Sequence, residues 1–285
     1  MHDFSFNKAT ILGVGLIGAS CALALKGKGL CTTISGYGRR EANLAEAKKR
    51  AIIDEYHLDA AKACEGADLI ILATPVGLFK ELAGKIRGSL KKGALVTDVG
   101  SVKGKLVYDL ELLMPEGVHF IGAHPIAGSD KSGIDEARAD LFVDAQCFIT
   151  PTAHSNREAM EKIIALWKAV GAKVDVMDPF RHDEIYAAVS HLPHIAAYAL
   201  VNTVGDINAE YISYAGQGFK DATRIALSSP EMWRDIAMLN KDHLVKQIDI
   251  LQDNLDNIKR LIEAADAAGI ESEFKKAQTL RKKLK

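Results

Sequence analysis

The sequence predicts an α/β protein in which an N-terminal Rossmann-type, doubly wound sheet is followed by an all-α C-terminal dimerisation domain. Three observations carry that expectation. Gly13, Gly15 and Gly18 stand in G-x-G-x-x-G spacing between a β-type run and an alanine-rich helical run. Short apolar runs then alternate with helical stretches as far as Asp178. From Phe180 onward the β pattern stops and apolar residues recur at helical spacing. Residues 1–178 are therefore expected to form a dinucleotide-binding domain, and residues 179–285 a helical substrate and dimerisation domain.

In "KATILGVGLIGASCALALKGKG", Gly13 permits a tight turn, Gly15 lets backbone approach a pyrophosphate, and Gly18 lets helix and strand pack closely. Leu16 and Ile17 open the helix whose N-terminal amides face the phosphates, completing the cofactor-binding set of this loop. Residues 9–25 carry no charge and so imitate a signal peptide or a short membrane span. The three glycines and Asp3 argue instead for a buried strand and helix, and no membrane attachment is expected.

The second strand, "TTISGYG", ends where an acidic residue would bind the adenosine ribose. Here Gly38 occupies that place and is followed by Arg39 and Arg40. A carboxylate would repel a 2′-phosphate, whereas Gly38 leaves room and two guanidinium groups can pair with phosphate. The expected cofactor is NADP in preference to NAD. The competing reading has both arginines merely solvating the next helix, "REANLAEAKKR".

The alternation continues through "ADLIILATP", "VGLFKELAGKI", "GALVTDVGS", "VKGKLVYDLELL" and "GVHFIGAHP", with "CFITP" and "AKVDVMDP" completing the parallel sheet. Ligands in this architecture sit at the carboxyl ends of strands, so "ATPVG", "DVGSVKG" and "GAHPIAGSDKSG" are the loops of interest. Thr74 and Pro75 are expected to border the nicotinamide, Ser101 offers a hydroxyl there, and His124 is the candidate acid or base.

In the second half, "RHDEIYAAVSHLPHIAAYALVNTV" reads as an apolar helix interrupted at Pro193, which frees the carbonyl of Val189 beside Ser190, His191 and His194. Residues 231–268 lack glycine and proline and predict one long helix with a heptad seam of Leu244, Ile248, Leu251, Leu255, Ile258 and Ile262. That seam suggests a homodimer. Arg224, after a glycine-bearing loop, is placed to clamp a carboxylate.

Composition excludes other classes. With 36 basic and 37 acidic residues the chain has no basic surplus for nucleic acid, and its one dense basic run is the C-terminal "RKKLK". Cys21, Cys31, Cys64 and Cys147 lie far apart without metal-ligand spacing, which points to a reducing cytoplasm and no metal.

The stretches "GVGLIG", "DVGSVKGKL", "GAHPIAGSDKSG", "VSHLPH", "FKDATRIA" and "PEMWRDI", in that order from about Lys8 to Leu261, resemble the prephenate and arogenate dehydrogenase family. The resemblance implies oxidative decarboxylation on the route to tyrosine: hydride leaves the hydroxyl-bearing ring carbon for NAD(P), carbon dioxide leaves the opposite carbon, and the ring becomes aromatic. It implies that His124 accepts the hydroxyl proton and that Ser101 bonds the same hydroxyl or His124. Arg224 matches a carboxylate-binding arginine, and His194 matches a histidine of the substrate pocket. Asp130 borders that pocket, where it restrains a loop or attracts the ammonium of arogenate; Ser129 and Ser190 are further pocket residues, and Trp233 is packing. The "GYGRR" stretch departs from the Asp common in NAD-using members. Two rivals stand beside this reading: another two-domain NAD(P)-dependent hydroxy-acid dehydrogenase, which would ordinarily offer a catalytic lysine on the helical half, and a non-catalytic NADP sensor.

Overall fold

The computed structural model describes residues 4–128 and 133–284. Met1–Asn240 forms one compact unit and Lys241–Lys285 a second. In the first unit, strands β1 (Phe6–Leu12), β2 (Cys31–Tyr37), β3 (Glu55–His57), β4 (Leu69–Leu72), β5 (Leu95–Asp98), β6 (His119–Pro125), β7 (Gln146–Thr150) and β8 (Lys173–Val176) build one sheet. Its order is β3-β2-β1-β4-β5-β6-β7-β8.

Pairing is parallel from β3 through β6, so five helical crossovers join these strands, the first two on one face and the next three on the other. The central strand β4, "LIIL", is buried on both sides: Leu69 and Ile71 join one core and Ile70 and Leu72 the other. Helices α1 (Leu16–Gly27), α2 (Glu41–Lys49) and α6 (Arg157–Ala169) cover the first face; α3 (Ala60–Cys64), α4 (Phe79–Ile86) and α5 (Gly104–Leu113) cover the second. A continuous apolar run is what a strand needs when neither face meets water.

The sheet is not wholly parallel, as expected from the alternation alone. β7 runs antiparallel to β6, with Pro125 opposite Cys147 and Gly122 opposite Thr150. The segment between them contains, among its described residues, only the 3₁₀ turn Ile134–Glu136, so the chain returns on the same edge without a crossover helix. β3 and α3 are additional elements, too short to leave a periodic signal.

Beyond β8, Asp178 caps α7 (Pro179–Tyr186) by accepting bonds from the amides of Phe180 and Arg181. The helix is not interrupted at Pro193. A π-turn, Ala187–His191, leads directly into α8 (Leu192–Asn208), and the amide of Leu192 reaches back to the carbonyl of Ala187. Proline sits in the first turn of α8, where its missing donor is tolerated. After α9 (Gln217–Thr223), α10 (Pro230–Leu239) sends Trp233 and Ile236 into the second core. This agrees with Trp233 as a packing residue.

The single helix expected over 231–268 is three helices. α10 stops at Asn240, whose side chain turns away to bond the Asp183 carbonyl at 2.8 Å and His191 Nδ1 at 3.1 Å. In the second unit, α11 (Lys241–Glu263) ends before Ala265, at φ 51°, and Asp266 caps α12 (Ala267–Arg281). Of the heptad seam, Leu255 and Ile262 are 56% and 60% exposed.

The glycine loop gives a direct test of this packing. A Cβ at Gly18 would lie 2.1 Å from the Gly13 carbonyl oxygen, whereas one at Gly15 meets nothing within 4 Å. Gly18→Ala is expected to cost about 1–3 kcal/mol in chemical denaturation, with Gly15→Ala close to wild type.

Candidate active site

The glycine turn lies at the switch point between β1 and β4, where ligands of open α/β sheets bind. Gly13, at φ 111°, lies so close to the chain after β4 that a Cβ there would be 2.6 Å from the Ala73 carbonyl group. The open space over Gly15 faces a cleft of about 650 Å³. Its wall brings together Gly13 and Gly15, Gly38 with Arg39 and Arg40, and Thr74 with Pro75, from three separate strand ends. Leu16 is buried against the first core, and Ile17 packs partly against it. Arg39 and Arg40 are exposed, and neither side chain makes an ion pair or hydrogen bond with a described residue. Asn43 and Lys85 also line the cleft, Lys85 paired with Glu81 at 2.6 Å.

His124 stands at the carboxyl end of β6, opposite Phe148 of β7, and is 8% exposed. Its Nδ1 is 2.8 Å from His182 Nε2 on α7, and His182 Nδ1 is 2.9 Å from Asp183 Oδ1. That oxygen also accepts the backbone amide of Lys103 at 2.7 Å. The ammonium of Lys103, itself fully buried, is bonded to Asp98, whose other oxygen accepts the Ala123 amide at 3.0 Å. Tyr186 stacks on His182 and meets His124 edge-on.

Burial, then the neighbouring His182 and the Lys103 charge, hold the His124 imidazole well below its ordinary pKa. Desolvation likewise lowers His182 against the opposing pull of Asp183. Both rings are therefore neutral near pH 7. His191 is pushed down to about 4 by the same cause. A neutral, desolvated imidazole at a cavity edge is suited to accepting a proton.

The cavity beside His124, about 270 Å³, is also lined by Pro125, Tyr186 and Ser190. The Ser190 carbonyl accepts a bond from His194 Nδ1 at 2.9 Å, and the His194 ring stacks on Trp233 at 3.5 Å. Burial holds the His194 imidazole below its ordinary pKa, and the charge of Arg224, exposed at the start of a 3₁₀ turn, adds to that shift. His124, Ser190 and His194 thus form a connected series. Ser101 is half-buried after β5, its backbone beside His191. No hydrogen bond joins Ser101 to His124, whose Nδ1 is held by His182 instead. Ser129 and Asp130 lie outside the described residues.

Sequence reasoning missed His182, Asp183, Asp98 and Lys103. The first two sit in "RHDEIY", which reads as an ordinary polar helix start. The other two flank "VGSV", and a lysine within an otherwise buried strand end was the available signal.

Comparison with known proteins finds two matching domain families along the chain. Residues 21–176 match the prephenate dehydrogenase nucleotide-binding domain, and residues 178–276 match the prephenate dehydrogenase dimerization domain. The chain is 36% identical to a prephenate dehydrogenase of Bacillus subtilis, over 96% of this chain and 76% of that one. It is 32% identical to a cyclohexadienyl dehydrogenase of Zymomonas mobilis, over 98% of this chain and 97% of that one. A crystal structure of prephenate dehydrogenase from A. aeolicus, in complex with hydroxyphenyl propionate and NAD+, superposes with a TM-score of 0.93 at 36% identity, covering 99% of this chain and 100% of that one. The glycine turn, the imidazole at the end of β6 and these full-length similarities lead to one assignment: the chain belongs to the prephenate dehydrogenase family, oxidoreductases built from a nucleotide-binding domain and a dimerization domain.

Proposed function

We propose that this chain oxidatively decarboxylates prephenate, or its amino counterpart arogenate, with NADP as the preferred cofactor and a homodimer as the working form. The observation that carries the reading is the neutral His124 at the end of β6, in a cavity it shares with Ser190. Residues 1–178 serve as the nucleotide domain and residues 179–285 as the substrate and dimerisation domain. The unpaired Cys21, Cys31, Cys64 and Cys147 suit a reducing cytoplasm.

The residues present fit a dinucleotide. Space above Gly15 admits a pyrophosphate, and the amides opening α1 are oriented for it. When bound there, the nicotinamide supplies the hydride acceptor. Gly38, Arg39 and Arg40 favour a 2′-phosphate on the adenosine ribose, because two exposed guanidinium groups line the cleft and no carboxylate follows β2 directly. Thr74 and Pro75 border the nicotinamide side.

Chemistry at the substrate falls to the second cavity. His124 accepts the ring hydroxyl proton as that carbon is oxidised, and Ser101 orients the hydroxyl. Arg224 binds a substrate carboxylate, with His194 and Ser190 lining the pocket and Ser129 and Asp130 completing its border. Loss of carbon dioxide aromatises the ring, so the protein's work is orientation and proton removal.

Exposed Leu255 and Ile262 on α11 support the dimer, since apolar side chains left open to water in one chain are covered when two chains pair. Sedimentation is expected to give twice the 30.8 kDa chain mass, and Leu255→Asp to shift the protein toward monomer.

Two further outcomes test the chemistry. With prephenate and then arogenate supplied, reduced cofactor and carbon dioxide appear together; His124→Asn lowers kcat by about 10²–10⁴-fold with substrate binding nearly intact, and Arg224→Ala mainly raises KM. Steady-state comparison of the two nicotinamides shows a preference for NADP that Arg39→Ala erodes by about tenfold or more without affecting NAD. Equal use of both cofactors by wild type and variant overturns the NADP assignment.

A further inference from the structure

The hydrogen-bond chain behind His124 determines which of its ring nitrogens carries a proton. We propose that His182, backed by Asp183, is a positioning residue that holds His124 with its proton on Nδ1, so that the Nε2 lone pair is the one presented to the substrate hydroxyl. This inference rests on the proposed role of His124 as proton acceptor.

The backbone amide of Lys103 is only a donor, and it points at Asp183 Oδ1 from 2.7 Å. The same oxygen is 2.9 Å from His182 Nδ1, so that nitrogen bears hydrogen and donates. His182 is buried and neutral, so its Nε2 is a lone pair. Nε2 lies 2.8 Å from His124 Nδ1, a distance at which two lone pairs would repel. His124 Nδ1 must therefore donate, which leaves Nε2 as its acceptor atom.

Every element around the pair is consistent with this polarity. Tyr186, its hydroxyl pushed up to about 12 by burial, stacks on His182 with centroids 4.5 Å apart and sits edge-on to His124 at 4.9 Å, restricting rotation of both rings. Lys103, from the loop after β5, has its ammonium engaged by Asp98 and offers no proton to either imidazole. Cys147 of β7 is a protonated thiol, its pKa raised by burial, and His191 of the π-turn is neutral and bonded to Asn240. Asp183 is the one carboxylate bonded to either ring among the described residues. When His124 gains the substrate proton at Nε2, the existing Nδ1–H bond to His182 becomes charge-assisted, with the Asp183 carboxylate behind it.

The arrangement has the logic of a base whose orienter fixes the tautomer, where the wrong tautomer disables a correctly placed ring. It differs in using a second imidazole between base and carboxylate.

The test uses the intact protein and two independent readouts. In wild-type enzyme labelled with ¹⁵N-histidine, His124, assigned by the loss of its signals in His124→Asn, is expected to show a protonated Nδ1 and an unprotonated Nε2. In turnover, His182→Leu removes the acceptor and is expected to lower kcat by about 10–10³-fold with KM within about threefold, as misorientation of a general base does. His182→Gln, whose amide can accept from His124 and donate to Asp183, is expected to restore kcat to within about tenfold of wild type. A His124 proton found on Nε2 overturns the proposal, as does a His182→Leu enzyme within about threefold of wild-type kcat, or a Gln variant no better than Leu. If the Leu variant does not fold, the labelled wild type still decides. Should wild type oxidise neither prephenate nor arogenate, the functional reading fails while the tautomer result stands on its own.

Discussion

The buried ion pair between Lys103 and Asp98 is the constraint on which the rest of the site depends. Both side chains are 1% exposed, and neither charge could be left alone in that setting without a cost of about 3–5 kcal/mol. Asp98 offsets its own desolvation by accepting the amides of Gly100 and Ala123 as well as the ammonium. The pair therefore clamps the end of β5 to the strand residue immediately before His124. Through its backbone amide Lys103 also holds Asp183, so one residue aligns the base and the helix that orients it.

This explains why the reactive groups come from such distant parts of the chain. Parallel strands deliver their carboxyl ends to one rim of the sheet, which places the glycine turn, Thr74, Ser101 and His124 there by topology alone. The rim needs a wall, and α7, the π-turn and α8 provide it with His182, Ser190 and His194. The antiparallel return of β7 closes the edge beside His124 and lets Phe148 pack against His182 and Tyr186.

Much of this was legible from residues alone, for stated physical reasons. The glycine spacing marks a turn that only residues without a Cβ can make, and the described packing at Gly13 and Gly18 has that character. Apolar strands buried on both faces read as continuous runs, so β4 was plain. Direction of pairing was not, because β7 has the same composition whichever way it runs. The stop at Asn240 was also hidden: asparagine is tolerated within helices, and it ends this one only because tertiary partners, Asp183 and His191, capture its side chain. His182 and Asp183 escaped notice for a related reason, since a polar pair on a helix is ordinarily solvated and only packing against β6 and β7 turns it inward.

The π-turn at Ala187–His191 carries a consequence for how this wall can change. A five-residue turn accommodates one residue more than α-helical winding would, and each residue of an α-helix advances the azimuth by about 100°. Rewinding these residues as α-helix, with none removed, would therefore swing everything downstream by roughly a quarter revolution, carrying the imidazole of His194 off the indole of Trp233. The wall's chemistry is thus tied to how this short span winds as much as to side-chain identity.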